Sequence, residues 1–387
     1  MKKTIRTEKL PIKLWLDDIE EGALLQAGNL ANLPFAFRHI AIMPDAHQGY
    51  GMPIGGVLAT RDVIIPNAVG VDIGCGMCAV QTSLQEIDRE SLKKIMTEIR
   101  MLVPLGFKHH KHRQSASLMP SAGGNLKIIE IEYRNALKQV GTLGGGNHFI
   151  ELQKGSDGFI WIMVHSGSRN IGYQVANYYN KKAIDINSRS KSAIPKNWQL
   201  AYLELDSVIG QTYWNEMRYC VDFAFANRKL IIERIMEAIV DNIRSGIRFS
   251  DLINIAHNYA AGEKHFGRQV IVHRKGATRA EKGEYGIIPG SQGSKSYIVI
   301  GRGNPESFRS CSHGAGRIMG RKQAQRQLDL EKEKKRLDSL GINHAIRGKR
   351  DLDEAAGAYK DISTVMENQE DLVEIDIELT PLAVIKG

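Results

Sequence analysis

The chain of 387 residues has few cysteines and no long apolar run. Its four cysteines are too sparse for the disulfide framework of a small secreted protein. No apolar run reaches the roughly 18 residues that would cross a bilayer. Polar and charged residues follow the basic N-terminus where a signal peptide would have an apolar core. We therefore expect a cytoplasmic protein that has no membrane segment and keeps its thiols reduced.

The chain also lacks internal repeats and any linker rich in proline and serine. The candidate functional residues described below run from the forties to the end of the sequence. If they form one site, this argues against independent halves, so residues 1–387 are predicted to form a single domain. The net charge of +9 and the isoelectric point near 9.2 favour a polyanionic partner such as nucleic acid, or else an unspecialised basic surface.

Apolar spacing predicts helices and strands without a regular alternation, and therefore an α+β fold with mixed or antiparallel sheets flanked by helices. Helical spacing covers residues 86–103, 127–140 and 197–244. Apolar runs predict strands at 148–153, 159–164, 269–273 and 296–300, with short strands and tight turns over 35–80 and a loop over 104–125. Residues 314–338 are predicted to form a basic helix that is either a solvated face, which we favour, or part of an RNA-facing surface.

Four short segments join a histidine, a cysteine or a carboxylate to a glycine-rich turn. Glycine allows the backbone to approach a ligand closely and to adopt turns that are closed to other residues. Metal-capable side chains beside such turns predict one site that holds metal and phosphate together, as a phosphoryl- or nucleotidyl-transfer enzyme would need. The segments are GVDIGCG at 70–76, LGGGNH at 143–148, VHSGSR at 164–169 and CSHGAGR at 311–317.

Asp72 and Cys75 lie three residues apart on the first of these turns, so both can point at one metal ion. Cys75 also forms a C-x-x-C with Cys78, which is typical of a redox pair or of half a zinc ribbon. No second C-x-x-C exists to complete a ribbon. Glycines flank Cys75, whereas a thioredoxin-like pair would open a helix. We therefore predict that Cys75 is a metal ligand and that Cys78 is a buried small residue.

His148, His165 and His257 each lie near a predicted apolar strand, where a single histidine is more often a hydrogen-bonded core residue than a ligand. Together with Asp72 and Cys75, they supply enough donors for two adjacent metal ions if one ligand bridges. A thiolate can bridge, and paired metals are the usual clamp for displacement at phosphorus. Thiolate and imidazole favour zinc, while a carboxylate and a phosphate substrate also suit manganese, so the residues leave the metal open.

His313 lies just ahead of the predicted basic helix, whose N-terminal N–H groups would suit a phosphate. A neutral imidazole is a competent nucleophile at phosphorus, and Arg317 would offset the charge on the transferred group. The alternative is a capping or structural histidine. The Gly/Ser loop at 288–294 has donors for a phosphate or a base edge, although most such loops are only turns.

Further candidate residues lie outside these segments. Asp45 and His47, on a polar turn, would support the metal ligands or contact substrate. The basic histidine tract at 108–113 is predicted to be a solvated loop. On composition alone, Lys386 would be a tail residue.

The motifs as a set resemble those of the RtcB family of 3′-phosphate/5′-hydroxyl RNA ligases, from about residue 35 to the C-terminus. The resemblance rests on MPDAHQGYGMPIGG, GVDIGCGM, GTLGGGNHFIEL, HSGSR, the His257–Asn258 pair, IIPGSQGSKSY, CSHGAGR, AYKD and the terminal VIKG. It implies the single-domain α+β fold of that family. It also implies two Mn²⁺ ions, one held by Asp72, Cys75 and His148 and the other by Cys75, His165 and His257.

The resemblance further implies that His313 carries GMP in a pocket that binds GTP. The implied guanylate contacts are Asn147, His148, Phe149, Ile150, Glu151, His257, Asn258, Pro289, Gly290, Ser291, Gln292, Ser296, His313, Gly314, Ala315, Gly316 and Lys386. The expected RNA contacts or supporting groups are Asp45, His47, Arg169, Arg317 and Tyr359.

The implied reaction joins an RNA 3′-phosphate, or a 2′,3′-cyclic phosphate opened to it, to a 5′-hydroxyl end in RNA repair or tRNA splicing. It passes through a histidine–GMP and an RNA(3′)pp(5′)G intermediate, and an archease-like activator would be a further partner. Gln292 stands where the family usually has methionine, and Asn170 where it usually has glycine, which puts substrate preference in question. The alternatives are a dinuclear-metal phosphohydrolase or cyclic phosphodiesterase acting on RNA ends, and a non-catalytic RNA-binding protein.

Overall fold

The computed structural model describes residues 1–121, 123, 126–190, 192–243, 246–344 and 346–387. Within them, helices flank mixed and antiparallel sheets, so the predicted α+β class is confirmed. Residues 122, 124 and 125 of the predicted loop and residue 244 of the predicted helix lie outside the described residues. The single-domain organisation stays a prediction. No helix in the described part of the chain is both long enough and apolar enough to span a membrane.

The α-helices in these ranges are α1 (Glu21–Ala31), α2 (Pro66–Val69), α3 (Arg89–Leu102), α4 (Lys127–Gln139), α5 (Arg169–Arg189), α6 (Val208–Ile243), α7 (Arg321–Gln327), α8 (Leu330–Ser339) and α9 (Ile362–Glu367). The strands are β1 (Lys3–Ile5), β2 (Ile12–Leu14), β3 (Ala36–His47), β4 (Ile54–Thr60), β5 (Val63–Ile64), β6 (Gly76–Gln81), β7 (Phe149–Gly155), β8 (Ile160–Ser166), β9 (Leu203–Glu204), β10 (Ile253–Ala256), β11 (Asn258–His265), β12 (Arg268–Lys275), β13 (Ala277–Arg279), β14 (Tyr285–Ile288), β15 (Ser296–Gly301), β16 (Ser310–Ser312) and β17 (Val373–Lys386). Short 3₁₀ helices cover Ala116–Leu118, Lys196–Trp198, Pro305–Ser307, Lys349–Glu354 and Ala356–Ala358.

A seven-stranded antiparallel sheet has the strand order β10-β6-β8-β7-β17-β15-β14. In its register, Met77 lies opposite His165, and His165 lies opposite Phe149 on the other side. Gly76 lies opposite Ala256, and Lys386 lies opposite Phe149. The start of β6, the start of β7, and the ends of β8, β10 and β17 therefore meet at one end of this sheet.

A six-stranded sheet has the order β1-β2-β3-β4-β12-β11, in which β2 and β3 are parallel and the other neighbours antiparallel. Its long strand β3 ends at His47 and carries Asp45. The short pair β13–β16 places Ser312 opposite Ala277, so His313 directly follows a paired strand. A second short pair joins β5 and β9.

The longest helix, α6, contributes to two hydrophobic clusters. Its first half, including Phe223, packs with α4 and α5, and its second half, including Ile231, packs with α3 and the seven-stranded sheet. Between the two halves lie Asn227 and Arg228, both polar and both fully buried. A buried polar group is costly unless it is hydrogen-bonded, so this pair must have partners in the interior.

Most predicted elements are confirmed. Residues 86–103 and 127–140 contain α3 and α4, and the four predicted strands are β7, β8, β12 and β15. The helix predicted over 197–244 begins only at Val208, because a 3₁₀ turn and β9 precede it. The sequence patterns predict neither α5 nor the C-terminal strand β17.

The basic helix predicted over 314–338 is wrong at its start and in its middle. Helix α7 begins at Arg321, and α8 begins after Asp329, whose carboxylate accepts the Lys332 N–H at 2.9 Å and caps a new helix. Gly316 has a φ of +74°, and a Cβ there would lie 2.2 Å from the Asp45 carbonyl oxygen. The segment after His313 therefore packs against β3 as a loop, and His313 does not lie at a helix N-terminus.

Candidate metal centre and nucleotide pocket

The five predicted metal ligands come together at one end of the seven-stranded sheet. Cys75 immediately precedes β6, His148 precedes β7, His165 is near the end of β8, and His257 follows β10. Asp72 lies on the turn before Cys75. Because these strands are antiparallel neighbours, their pairing is sufficient to bring residues from distant parts of the sequence to one place.

Two overlapping triads share Cys75. In the first, His148 Nε2 lies 3.1 Å from Asp72 Oδ2 and 3.5 Å from Cys75 Sγ. In the second, His165 Nε2 lies 3.3 Å from Cys75 Sγ and 3.4 Å from His257 Nε2. The donor atoms of each triad lie within 4.8 Å of one another, so each triad can surround one metal ion. The role of these residues as ligands stays a prediction.

Burial controls the protonation of these groups. It raises the pKa of the Cys75 thiol well above its ordinary value, and the nearby Asp72 carboxylate adds to that rise. Burial also lowers the pKa of His165 and of His257 well below the ordinary value. The imidazoles of His165 and His257 therefore favour the neutral form, which is the form that binds metal, whereas the Cys75 thiol needs a neighbouring cation to become a thiolate.

The buried pair on α6 holds the ligand-bearing loops. Arg228 Nη1 donates to the carbonyl oxygens of Gly74 at 2.8 Å and Ser166 at 2.9 Å, each next to a predicted ligand. Asn227 Oδ1 accepts the Gly141 N–H at 2.7 Å, and its Nδ2 donates to Ser166 Oγ at 3.0 Å. One helix thus fixes the Cys75 turn, the His165 strand end and the start of the glycine-rich loop before His148.

His313 lies beside the second triad, with its ring centroid 4.8 Å from that of His257. Its Nδ1 is 2.6 Å from Asp45 Oδ2, which also accepts the His313 backbone N–H at 3.1 Å. Asp45 is fully buried near the end of β3. Because an ionised carboxylate can only accept, this contact favours the neutral tautomer that carries its proton on Nδ1 and leaves the Nε2 lone pair free. Asp45 therefore sets the tautomer that a nucleophilic imidazole requires.

A cleft opens beside His313, and its lining is both polar and apolar. The predicted guanylate contacts that line it are Asn147, His148, Phe149, Glu151, Pro289, Gly290, Ser291, Gln292, His313, Gly314, Ala315, Gly316 and Lys386. His47, Arg317 and Tyr359 also line it, together with three residues outside the predicted set, Ile54, Arg321 and Glu354.

The predicted guanylate contacts that do not line the cleft are Ile150, His257, Asn258 and Ser296. Ile150 is fully buried in a hydrophobic cluster, because alternate residues of β7 face opposite sides of the sheet. Ser296 Oγ accepts the Gly290 N–H at 3.1 Å and so supports the Gly/Ser loop from behind. Asn258 donates to the Asp72 carbonyl at 3.2 Å, and His257 faces the metal ligands and His313.

Carboxylates of the 3₁₀ helix Lys349–Glu354 pair with cationic side chains that line the cleft. Glu354 is buried, accepts from Arg317 at 2.9 Å and from Arg321 at 2.7 Å, and contacts the Tyr359 hydroxyl. Asp353 pairs with Lys386. These pairs set the positions of the cationic side chains that face the cleft.

Arg169 lies near the first metal triad. It is the first residue of α5 and has a left-handed φ of 56°, a conformation that is uncommon outside glycine and costs energy. Its Nε donates to Thr142 Oγ1 at 3.0 Å, and its Nη2 donates to the Gly106 carbonyl at 3.1 Å. These bonds hold the guanidinium close to the turn that carries Asp72. Burial lowers the pKa of Arg169, and the Asp72 carboxylate opposes that shift.

Several residues that support or line the site were not predicted from the sequence. Asn227 and Arg228 do leave a signal, since they interrupt an otherwise apolar helical face. Ile54 belongs to a glycine-rich motif and could have been included for that reason. Nothing in the surrounding residues distinguishes Glu354 from any surface glutamate, because its partners are far away in the sequence.

Comparison with known proteins gives consistent matches over the whole length. A family model described as tRNA-splicing ligase RtcB matches residues 26–122 and 124–387. The chain is 38% identical over 410 residues to the RNA-splicing ligase RtcB of Escherichia coli (strain K12), covering 99% of each protein. It is 30% identical over 461 residues to the tRNA-splicing ligase RtcB of Thermococcus kodakarensis, covering 98% of this chain and 95% of that protein.

Proposed function

Because the chain belongs to the RtcB family of RNA-splicing ligases, we propose that it joins RNA 3′-phosphate ends to 5′-hydroxyl ends with GTP and two Mn²⁺ ions. Ends bearing a 2′,3′-cyclic phosphate would first be opened to the 3′-phosphate. The observation that carries the proposal is the position of His313, an imidazole hydrogen-bonded to Asp45 that lies between the paired triads and the cleft.

The donor set fits a pair of divalent ions. Lone pairs of Asp72, Cys75, His148, His165 and His257 converge at 3.1–3.5 Å, an arrangement that a metal ion would stabilise. Asp72, Cys75 and His148 would hold one ion, and Cys75, His165 and His257 the other. When bound, the ions would neutralise phosphate charge and so favour displacement at phosphorus.

His313 performs the proposed covalent step. Its Nε2 attacks the α-phosphorus of GTP, forming an N–P bond while the bond to the bridging oxygen breaks and pyrophosphate leaves. Asp45 stabilises the positive ring that this attack creates, since its carboxylate is hydrogen-bonded to Nδ1–H. An oxygen of the RNA 3′-phosphate then displaces the histidine nitrogen, giving RNA(3′)pp(5′)G. Finally the 5′-hydroxyl oxygen attacks the 3′-phosphate phosphorus, loses its proton and displaces GMP.

Glu151 is the proposed selector of guanine over adenine. Its carboxyl faces the cleft from β7, is 5% exposed, and accepts from Gln153 Nε2 at 2.7 Å. Burial raises the pKa of Glu151 to about 8, and the two N–H donors on one edge of guanine would favour its ionised form. Adenine presents an acceptor on that edge, so the carboxylate would accept from guanine and repel adenine. Glu151→Gln should weaken GTP use by about 10–100-fold relative to wild type. Equal discrimination between GTP and ATP by the variant and wild type would remove this role.

The central test is transfer of label from α-labelled GTP to the protein in Mn²⁺. Wild type should form an acid-labile adduct, and His313→Ala should form none. His344→Gln, which alters a histidine paired with Asp338 away from the cleft, is the matched control and should label normally. An adduct that survives His313→Ala would refute the assigned nucleophile. Opening of cyclic phosphate ends without GTP, and without sealing, would favour the hydrolase alternative.

A further inference from the structure

One surface feature adjoins the candidate site without being part of it. We call residues 105–113, LGFKHHKHR, the basic loop. Phe107 within it is 99% exposed, the highest value among the exposed large hydrophobic side chains of the described residues. It is followed by Lys108, Lys111, Arg113 and three histidines, and no acidic residue occurs in the sequence between Glu98 and Glu130. An aromatic side chain among cations is the composition of a single-stranded nucleic-acid surface.

The basic loop is fixed to the body of the protein at both ends. Leu105 forms a parallel bridge with Gly144, and the Gly106 N–H donates to the Gly144 carbonyl at 2.9 Å. Further along, the His110 N–H donates to the Lys138 carbonyl at 3.0 Å. Phe107 is therefore displayed on a braced backbone, so stacking on it would cost little ordering entropy.

The position of the basic loop favours the 5′-hydroxyl strand of the RNA as its ligand. Gly106 accepts from Arg169, which lies beside the Asp72 turn, and no residue of the loop lines the guanylate cleft. In an in-line displacement at phosphorus, the attacking oxygen enters opposite the leaving group. If GMP leaves toward the cleft, the 5′-hydroxyl strand arrives from outside it. The basic loop, which is near the Asp72 turn and outside the cleft, is a cationic surface that can receive that strand.

We propose that the basic loop binds the single-stranded 5′-hydroxyl end of the RNA, with Phe107 stacked on a base and Lys108 and Lys111 on phosphates. This assignment rests on the proposed function for its choice of strand. Stacking on an aromatic side chain is tolerant of sequence, so the loop would increase affinity without selecting a base.

Binding is tested first without catalysis, by fluorescence anisotropy of a labelled 10-nucleotide RNA with a 5′-hydroxyl. Phe107→Ala should weaken binding about five- to a hundredfold, and Phe107→Trp should retain it, with indole emission quenched on binding. Tyr285→Ala, which removes another exposed aromatic side chain, is the control and should bind as wild type. Unchanged affinity of Phe107→Ala, with no quenching in Phe107→Trp, would overturn the proposal.

The contribution of the two lysines to RNA binding is measured separately, through the salt dependence of the affinity. Lys108→Ala with Lys111→Ala should lower the slope of log affinity against log salt by about 1.4, which is about 0.7 for each phosphate of a single strand that a lysine no longer neutralises. Lys2→Ala with Lys3→Ala, two exposed lysines at the N-terminus, should leave the slope unchanged. An equal fall in both double variants would show only a general charge effect and contradict a site.

Sealing assays then separate this inference from the proposed function. With a preformed RNA(3′)pp(5′)G strand, Phe107→Ala should raise the apparent KM for the 5′-hydroxyl strand about tenfold or more, while saturating strand restores the rate. A KM equal to that of wild type would overturn the strand assignment. Failure of wild type to form a GMP adduct would reject the proposed function, and the anisotropy measurements would still decide whether the loop binds RNA.

Discussion

Replacement of Asp45 by asparagine isolates the contribution of one carboxylate to the nucleophile. Asparagine has nearly the same shape and can still accept from the His313 backbone N–H through its carbonyl oxygen. Asparagine lacks the negative charge of the carboxylate beside Nδ1. Because the side chain is fully buried, water cannot replace the lost interaction. A hydrogen bond to a charged group contributes about 1.5–3 kcal/mol. That range corresponds to a factor of about 10–150 in rate.

Loss of tautomer control adds to this effect. In the flipped orientation, the asparagine Nδ2 would donate to Nδ1 and place the proton on Nε2, the atom that must attack. The bond from the backbone N–H would then be lost, because one carboxylate oxygen accepts both in the wild type. In another enzyme with a histidine–aspartate pair, the same substitution lowers turnover by about 10⁴-fold. We therefore expect Asp45→Asn to slow adduct formation by about 10²–10⁴-fold.

The assay is single-turnover labelling with α-labelled GTP, run at saturating nucleotide so that weaker binding is excluded. Asp18→Asn, at an exposed carboxylate, is the matched control and should label at the wild-type rate. Thermal unfolding of both variants checks that the fold is retained. Labelling of a folded Asp45→Asn protein at the wild-type rate would show that the carboxylate does not set the state of His313.

Cys75→Ser should abolish binding of both Mn²⁺ ions in metal analysis, because both triads share that sulfur, whereas Cys78→Ser should retain them; equal loss in both variants would contradict a bridging role. Arg228→Met should lower the free energy of unfolding by about 2–4 kcal/mol, since two buried carbonyls lose their donor, and an unchanged melting temperature would refute the bracing role. Burial alone would raise the pKa of Glu263, but Arg274 and a neighbouring histidine lower it to about 2. The ionised carboxylate thus adds stability above pH 4.5 that is lost as the pH falls from there toward 2, amounting to about 3 kcal/mol. The melting-temperature difference between wild type and Glu263→Gln should accordingly shrink from pH 6 to pH 3, and a constant difference would be evidence against the pair.

The sequence predicted the candidate ligands because short motifs carry them. Asp72 and Cys75 are visible as one turn, and each histidine stands beside an apolar run that becomes a strand. The pairing of His313 with Asp45 could not be predicted, since 268 positions separate them and the contact exists only because β16 ends near the end of β3. The basic residues after His313 predict a helix N-terminus there, but glycines at 314, 316 and 320 precede α7, which begins only at Arg321.

Helix α5 shows a different limit. Its buried side has small residues such as Gly172, Ala176 and Ala183 among a few larger apolar ones, so the periodic contrast that identifies a helix is weak.

Ile150 shows a third limit. The motif places it between two residues that face the cleft, but strand geometry turns its side chain into the core. Motifs identify a segment, and local geometry decides which of its side chains reach the ligand.

The continuity of α6 has a consequence for denaturation. Two apolar clusters share this one helix, and the Asn227–Arg228 pair sits at their junction with its bonds directed to the ligand loops. Opening either cluster would displace the junction, and with it the groups that chelate metal. We therefore expect cooperativity: in a urea titration, release of the metal ions and loss of helical circular dichroism should follow the same sigmoid, with a single midpoint.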